Sequence, residues 1–221
     1  LRSAGIMLSF GPVVDINVEP GNPVIGLRSY SSDLNLVLEM QQAAIAGLQE
    51  NGVVAVAKHF PGHGDTKVDS HGEIPYINKT LEELQASDLI PFARAADQQV
   101  GGMMVGHIAN LEIDPRGFPA TLSPALVNGI LRGEMGYQGV VFTDGMMMGA
   151  VINKYPAEEA AQRAVKAGCD ILLINNPNWA IDARNWIIQA VHNGLIEQRE
   201  IDASVRRILT MKAQYGLLSF P

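Results

Sequence analysis

"VVAVAKHFPGHGDT", residues 53–66, changes character half-way along. Val53–Ala57 is apolar without alternation, as a parallel strand covered on both faces is. Lys58 and His59 close that run. Pro61, Gly62 and Gly64 then exclude a helix, so the segment predicts a strand that ends in polar residues and enters a loop. A strand of this kind is the first half of a βα unit.

Four other stretches have the same form: "IMLSFGPVVDI" (6–16), "GGMMVGHI" (101–108), "GVVFTD" (139–144) and "DILLIN" (170–175). Segments of helical period follow them, at about 33–50, 80–97, 123–135, 157–167 and 178–194, and a last one at about 200–215. Thr80 with Glu83 reads as a capping box, and Ser123-Pro124 as a helix start. Gly52, Gly136, Gly168 and Gly194 stand where helices should stop. Alternation of this kind predicts an α/β fold with a parallel sheet. A (β/α)8 TIM barrel has eight such units in about 250 residues. Five units therefore read as the C-terminal five of a barrel. The opening "LRSAGIMLSF" reads as the last turn of a helix, with Gly5 as its stop, entering a strand. The expectation is one catalytic barrel domain over 1–221, with about three further units, roughly 100 residues, upstream.

Bulk properties narrow the function classes. The chain has 221 residues, 47% hydrophobic and 18% charged, an ordinary globular balance. A net charge of −7 argues against nucleic acid or an anionic membrane as partner. No apolar run reaches the roughly 18 residues of a membrane-spanning segment. The single cysteine, Cys169, excludes an internal disulfide and is compatible with a reducing compartment or a periplasm.

Polar residues end each predicted strand: Asp15, Lys58-His59, His107, Asp144 and Asn175-Asn176. In α/β barrels and open sheets that edge carries the active site, although each polar group could merely cap or solvate a strand end. The loop "KHFPGHGDTKVDSH" (58–71) holds three of the five histidines. One reading is a metal-dependent hydrolase using His59, His63 and Asp65, but His at i and i+4 share a face only on a helix. A second is a loop folded by its own side-chain to backbone bonds, with Asp65-Thr66 in that role. A third is acid/base catalysis. Asp69 and His71 lie two apart and point the same way in extended backbone, and a carboxylate beside an imidazole fixes its tautomer and raises its basicity. Asp144, at the end of a buried strand, suits a nucleophile or electrostatic stabiliser, or else a helix N-cap. Met146–Met148 suit core filling or an apolar pocket wall. Arg28, in "GNPVIGLRSYSSD" (21–33), is a fixed-charge fork for hydroxyl, carboxylate or phosphate groups, or a plain surface charge.

"KHFPGHGDT" followed by "DSH" resembles the glycoside hydrolase family 3 β-N-acetylglucosaminidases of the peptidoglycan-recycling type. "ILRGEMGYQGVVFTD", "FGPVVDINVEP", "VIGLRSYSSD", "GHIANLEIDPRGFPATLS" and "ASVRRILTMKAQYGL" are similar to the same group, so the likeness covers nearly the whole chain. The resemblance implies a (β/α)8 barrel and a retaining exo-enzyme that removes terminal N-acetylglucosamine from muropeptide or chitooligosaccharide substrates. Asp144 would be the nucleophile, and His71 paired with Asp69 the acid/base. Arg28, Lys58 and His59 would hold the sugar hydroxyls. No metal or organic cofactor is implied, and a bacterial cytoplasm or cell envelope suits such an enzyme. A histidine acid/base is compatible with phosphate as well as water as final acceptor. The upstream strands of the family carry an Asp and an Arg that bind the same sugar. Without them the chain would be an inactive sugar-binding remnant. Met147 stands where the family usually has a small or polar residue.

Overall fold

The computed structural model describes residues 1–218. In chain order its elements are β1 (Leu8–Ser9), α1 (Leu34–Gln49), β2 (Val54–Phe60), β3 (Tyr76–Ile77), α2 (Leu81–Gln85), α3 (Ile90–Asp97), β4 (Gly102–Val105), β5 (Ala109–Asn110), a π-helix (Ala125–Glu134), β6 (Val140–Gly145), α4 (Gly149–Ile152), α5 (Ala157–Ala167), β7 (Ile171–Leu173), α6 (Pro177–His192) and α7 (Gln198–Gln214), with short 3-10 turns between some of them.

The five predicted strands form one parallel sheet in the order β1-β2-β4-β6-β7. Leu8 lies opposite Val54, Val56 opposite Gly102, Met103 opposite Val141, and Phe142 opposite Ile171. Both faces of the central strands are covered, which is why they are apolar without alternation. Ala55, Ala57, Met103, Val105 and Val141 pack under α1, α3 and the π-helix, against Ile45, Phe92, Leu126 and Leu131. Val54, Val56, Met104, Val140 and Phe142 form the other face, which meets Ile208, Met211 and Tyr215 at the end of α7. Asp170 fastens that helix to the strand starts. Its buried carboxylate accepts from Arg132, Arg207, Ser204 and the Val141 N–H, at 2.7–3.1 Å. The outermost strands, β1 and β7, are half-buried and each pairs on one side only among the described residues.

Local signals set most boundaries. Asp33 caps α1 by accepting from Leu36 N–H, and Thr80 and Glu83 make the expected capping box. Gly168 ends α5 at φ 109°, a conformation that L side chains rarely adopt. Three expectations are corrected. The strand expected over 6–16 is interrupted, because Pro12 has no N–H to give the ladder. Its carbonyls still pair, taking Val56 N–H at Gly11 and Lys58 N–H at Pro12. The helix expected over 80–97 divides before Pro91, which starts α3, and Asp88 turns inward at the break to bind Lys79 and Ser87. The strand expected over 101–108 stops at Val105, and β5 beyond it pairs with β3 in a separate two-stranded sheet. Neither that small sheet nor α4 is legible as a periodic pattern.

Candidate active site

Parallel pairing brings all five strand ends to one edge, where Asp15, Lys58, His59, His107 and Asp144 collect. Asp15 is the hub. It is 1% exposed, and its carboxylate accepts from His59 Nδ1–H at 2.7 Å, His63 N–H at 2.7 Å and His59 N–H at 3.1 Å. Burial would raise its pKa, but the charge and hydrogen bonds of His59 and the bond from His63 outweigh that and hold it below the usual carboxylate value. Arg28, on a short turn ending at Ser29, reaches His59 Nε2 at 3.3 Å. A guanidinium can only donate, so His59 accepts at Nε2 and carries its proton on Nδ1. Lys58 stands beside this pair, partly buried. Burial and the Arg28 charge lower its pKa, against the attraction of Asp144 and Asp15.

The loop after β2 is built on His63, which is 1% exposed. Thr66 Oγ1 donates to the His63 carbonyl at 3.0 Å, so it accepts from Nδ1–H at 2.6 Å, and His63 Nε2 is left to accept from Ser70 Oγ at 3.1 Å. Burial lowers the His63 pKa below the ordinary histidine value, with nearby His59 adding to that and Asp15 opposing it. Asn22 holds the His63 carbonyl, and Glu19 N–H the carbonyl of Gly64. Ile74 packs against Ala109, Ala150 and Tyr155. The Gly- and Pro-rich composition suggests a loose loop with little apolar anchorage. In the structure only Lys67–Asp69 and His71–Glu73 lie exposed, and the feet of the loop are buried.

At its tip the Asp69–His71 pair is made as expected. Asp69 Oδ1 accepts from His71 Nδ1–H at 2.7 Å and from His71 N–H at 2.8 Å. Desolvation raises the Asp69 pKa, but the two bonds from His71 and the His71 charge together outweigh it and hold it below the usual carboxylate value. The His71 side chain is 67% exposed, and its Nε2 makes no hydrogen bond among the described residues. No hydrogen bond or ion pair joins His71 to Asp144 among the described residues.

Asp144 is the last residue but one of β6 and half-buried, its Oδ1 accepting the next backbone N–H, Gly145, at 2.7 Å. It caps no helix: the N-cap position of α4 is Met148. His107, fully buried, reaches the Gly145 carbonyl with Nε2 at 2.9 Å. A carbonyl only accepts, so that nitrogen carries the proton; the Thr121 hydroxyl, 2.8 Å from Nδ1 and 2.9 Å from the Gly106 carbonyl, has one hydrogen to share between the two. Burial lowers the His107 pKa, against the Asp144 charge and the Gly145 carbonyl, which raise it.

The sequence matches the family described as Glycosyl hydrolase family 3 N terminal domain over residues 1–211. The chain belongs to glycosyl hydrolase family 3. Proteins similar to it include a β-hexosaminidase of Tolumonas auensis, 42% identical over 179 residues, which are 80% of this chain and 52% of that protein. A β-hexosaminidase of Alkalilimnicola ehrlichii is 39% identical over 183 residues, 83% of this chain and 52% of the relative. The solved family 3 β-N-acetylglucosaminidase of Paenibacillus sp. str. FPU-7 superposes with a TM-score of 0.96 at 41% identity, over 100% of this chain and 42% of that one. The chain thus spans about half the length of the curated relatives it matches.

Within the family 3 domain, the histidines considered for a metal are committed elsewhere. Both ring nitrogens of His59 and of His63 have protein partners, and Asp65 pairs with Lys79 at 2.9 Å. Among the described residues no three His, Cys, Asp or Glu side chains are arranged to hold a metal ion. Asn176, at the last strand end, does what the plainer reading allowed: it caps α6, accepting from Asn178 and Trp179 N–H. Sequence reasoning left Asp15 and His107 as bare strand-end polar residues. Their position gave a signal, but their partners lie 44 and 38 residues away.

Proposed function

We propose that the chain is the catalytic part of a retaining exo-β-N-acetylglucosaminidase, acting on terminal N-acetylglucosamine of peptidoglycan fragments or chitooligosaccharides. One observation carries this reading: a hydrogen-bonded Asp69–His71 pair with Nε2 free stands on the same edge of the sheet as Asp144. In this reading Asp144 attacks the anomeric carbon while His71 Nε2–H gives its proton to the glycosidic oxygen, and the aglycone leaves. Asp69 offsets the charge of the ring while it holds that proton. His71 then takes a proton from water, which displaces Asp144 from the glycosyl ester. Arg28 and Lys58 reach the sugar hydroxyls, and His59 acts through the guanidinium it holds. The names of the β-hexosaminidase and β-N-acetylglucosaminidase relatives support the substrate class.

The half-buried, singly paired β1 and β7 support a (β/α)8 barrel completed by three upstream units, since a closed barrel has no open edges. The test is trapping of the full-length protein with a fluorinated N-acetylglucosaminyl fluoride, which slows breakdown of the intermediate. The label is expected on the peptide carrying Asp144, and Asp144→Asn is expected to lose at least ~10³-fold in turnover, about 4 kcal/mol of barrier. A label on another carboxylate, or turnover that depends on stoichiometric bound zinc, would overturn the reading.

A further inference from the structure

The helix that follows Asp144 is joined to the loop that carries His71. The first two N–H groups of α4 donate to that loop: Gly149 N–H to the His71 carbonyl at 2.9 Å, and Ala150 N–H to the Ser70 carbonyl at 3.3 Å. Asn153 Nδ2 donates to the Gly72 carbonyl at 3.3 Å. Ser70 is also fixed from below by His63. On the other side, α4 is tied back to the strand end. Met148 N–H and His107 Nε2–H both bind the Gly145 carbonyl, next to Asp144. A continuous set of bonds therefore links Asp144 to the backbone of His71, although the two side chains do not touch.

The approach at Gly149 leaves no room for a side chain. A Cβ there would stand 2.5 Å from the Gly72 carbonyl oxygen and 2.6 Å from that of His71. Both are backbone atoms and cannot rotate away. Gly149 has no positive φ to explain it, so close approach is the reason for glycine.

We infer that Gly149 and Asn153 are positioning residues for His71: by holding the backbone of residues 70–72 against the start of α4 they set where the acid/base stands relative to the nucleophile. The inference rests on the reading of Asp144 and His71 given above. It differs from a merely structural role in one respect. Displacing His71 harms proton transfer, and proton transfer matters in proportion to how poor the leaving group is.

The experiment compares full-length wild type, Gly149→Ala and Asn153→Asp on an N-acetylglucosamine disaccharide and on a dinitrophenyl N-acetylglucosaminide, with and without azide. Alanine at 149 pushes the loop back by roughly 1–1.5 Å, given ordinary van der Waals contact. A displacement of about 1 Å costs on the order of 10²-fold, so kcat/KM on the disaccharide should fall ~10–10²-fold while that on the aryl glycoside changes less than about threefold. Asn153→Asp keeps the shape and loses the donor at an exposed site, where folding is not at stake, and should show the same pattern at about 2–10-fold. Azide should speed turnover of the aryl glycoside in the variants but not in wild type. It displaces Asp144 from the anomeric carbon to give the glycosyl azide, with no proton to remove. Equal losses on both glycosides with no response to azide, in either variant of an active enzyme, would overturn the positioning role. A wild type inactive on both glycosides would overturn the functional reading instead, and this proposal with it.

Discussion

Asp15→Asn removes the hub of the site without changing its shape. The carboxylate now serves three donors, two on one oxygen or shared and the His59 ring N–H on the other. An amide offers one oxygen and one NH2 in the same space. With its oxygen toward the His59 and His63 backbone N–H groups, its NH2 faces His59 Nδ1–H, a donor against a donor. Moving the imidazole proton to Nε2 relieves that contact and points the proton at the Arg28 guanidinium, again a donor against a donor. Neither tautomer satisfies the ring, and the buried negative charge that attracted Lys58 is gone. Losing a buried hydrogen bond to a charged group costs about 1.5–3 kcal/mol. For a chain of this size 1 kcal/mol is about 2–4 °C, so thermal unfolding should fall by roughly 3–12 °C. Urea unfolding at fixed pH gives the free energy directly. The double variant Asp15→Asn/Arg28→Met tests the tautomer logic: with the guanidinium gone the Nε2–H form is free to exist. The two changes should then be coupled by about 0.5–3 kcal/mol in the favourable direction. An Asp15→Asn protein within about 1 kcal/mol of wild type, or strict additivity in the double variant, would refute this account.

The remaining expectations concern His71 and pH. His71→Ala should slow a natural disaccharide by roughly 10²–10⁴-fold and an activated aryl glycoside less in the first step, with Asp69→Ala following the same pattern more weakly; equal losses on both substrates would mean a role in binding or folding. His63 and His107 are held below the ordinary histidine value of about 6.5, so below that pH the unfolded chain takes up protons that the folded chain refuses. Stability should therefore be full above about pH 6.5 and fall as pH drops toward the folded values. His107→Gln should flatten the slope there by up to about 1.4 kcal/mol per pH unit, read from urea unfolding at a series of pH values, and an unchanged slope would contradict the neutral assignment. At lower pH the depressed carboxylates Asp15 and Asp69 add a second loss as they protonate in turn.

Features that neighbours along the chain decide can be read from the residues in order. Apolar runs without alternation fixed five parallel strands, because strands covered on both faces have no polar side. The Thr80–Glu83 box and the stop at Gly168 are contacts over three or four residues, legible wherever they occur. The Asp69–His71 pair is of the same kind, two residues apart in an exposed loop. Asp144 was marked by ending an apolar run. Tertiary structure decided the rest. Whether His59 and His63 bind a metal, a sugar or the protein itself depends on Asp15, which the register of β1 on β2 brings to them across 44 residues. The hold of α4 on the His71 loop joins residues about eighty apart through backbone carbonyls, which every residue carries and no side-chain pattern reports. The break in the 80–97 helix is signalled locally by Pro91, but the inward turn of Asp88 to meet Lys79 there is not. Local order is written in spacing. Partners brought together by folding are chosen by the packing of the sheet, and only the folded chain shows them.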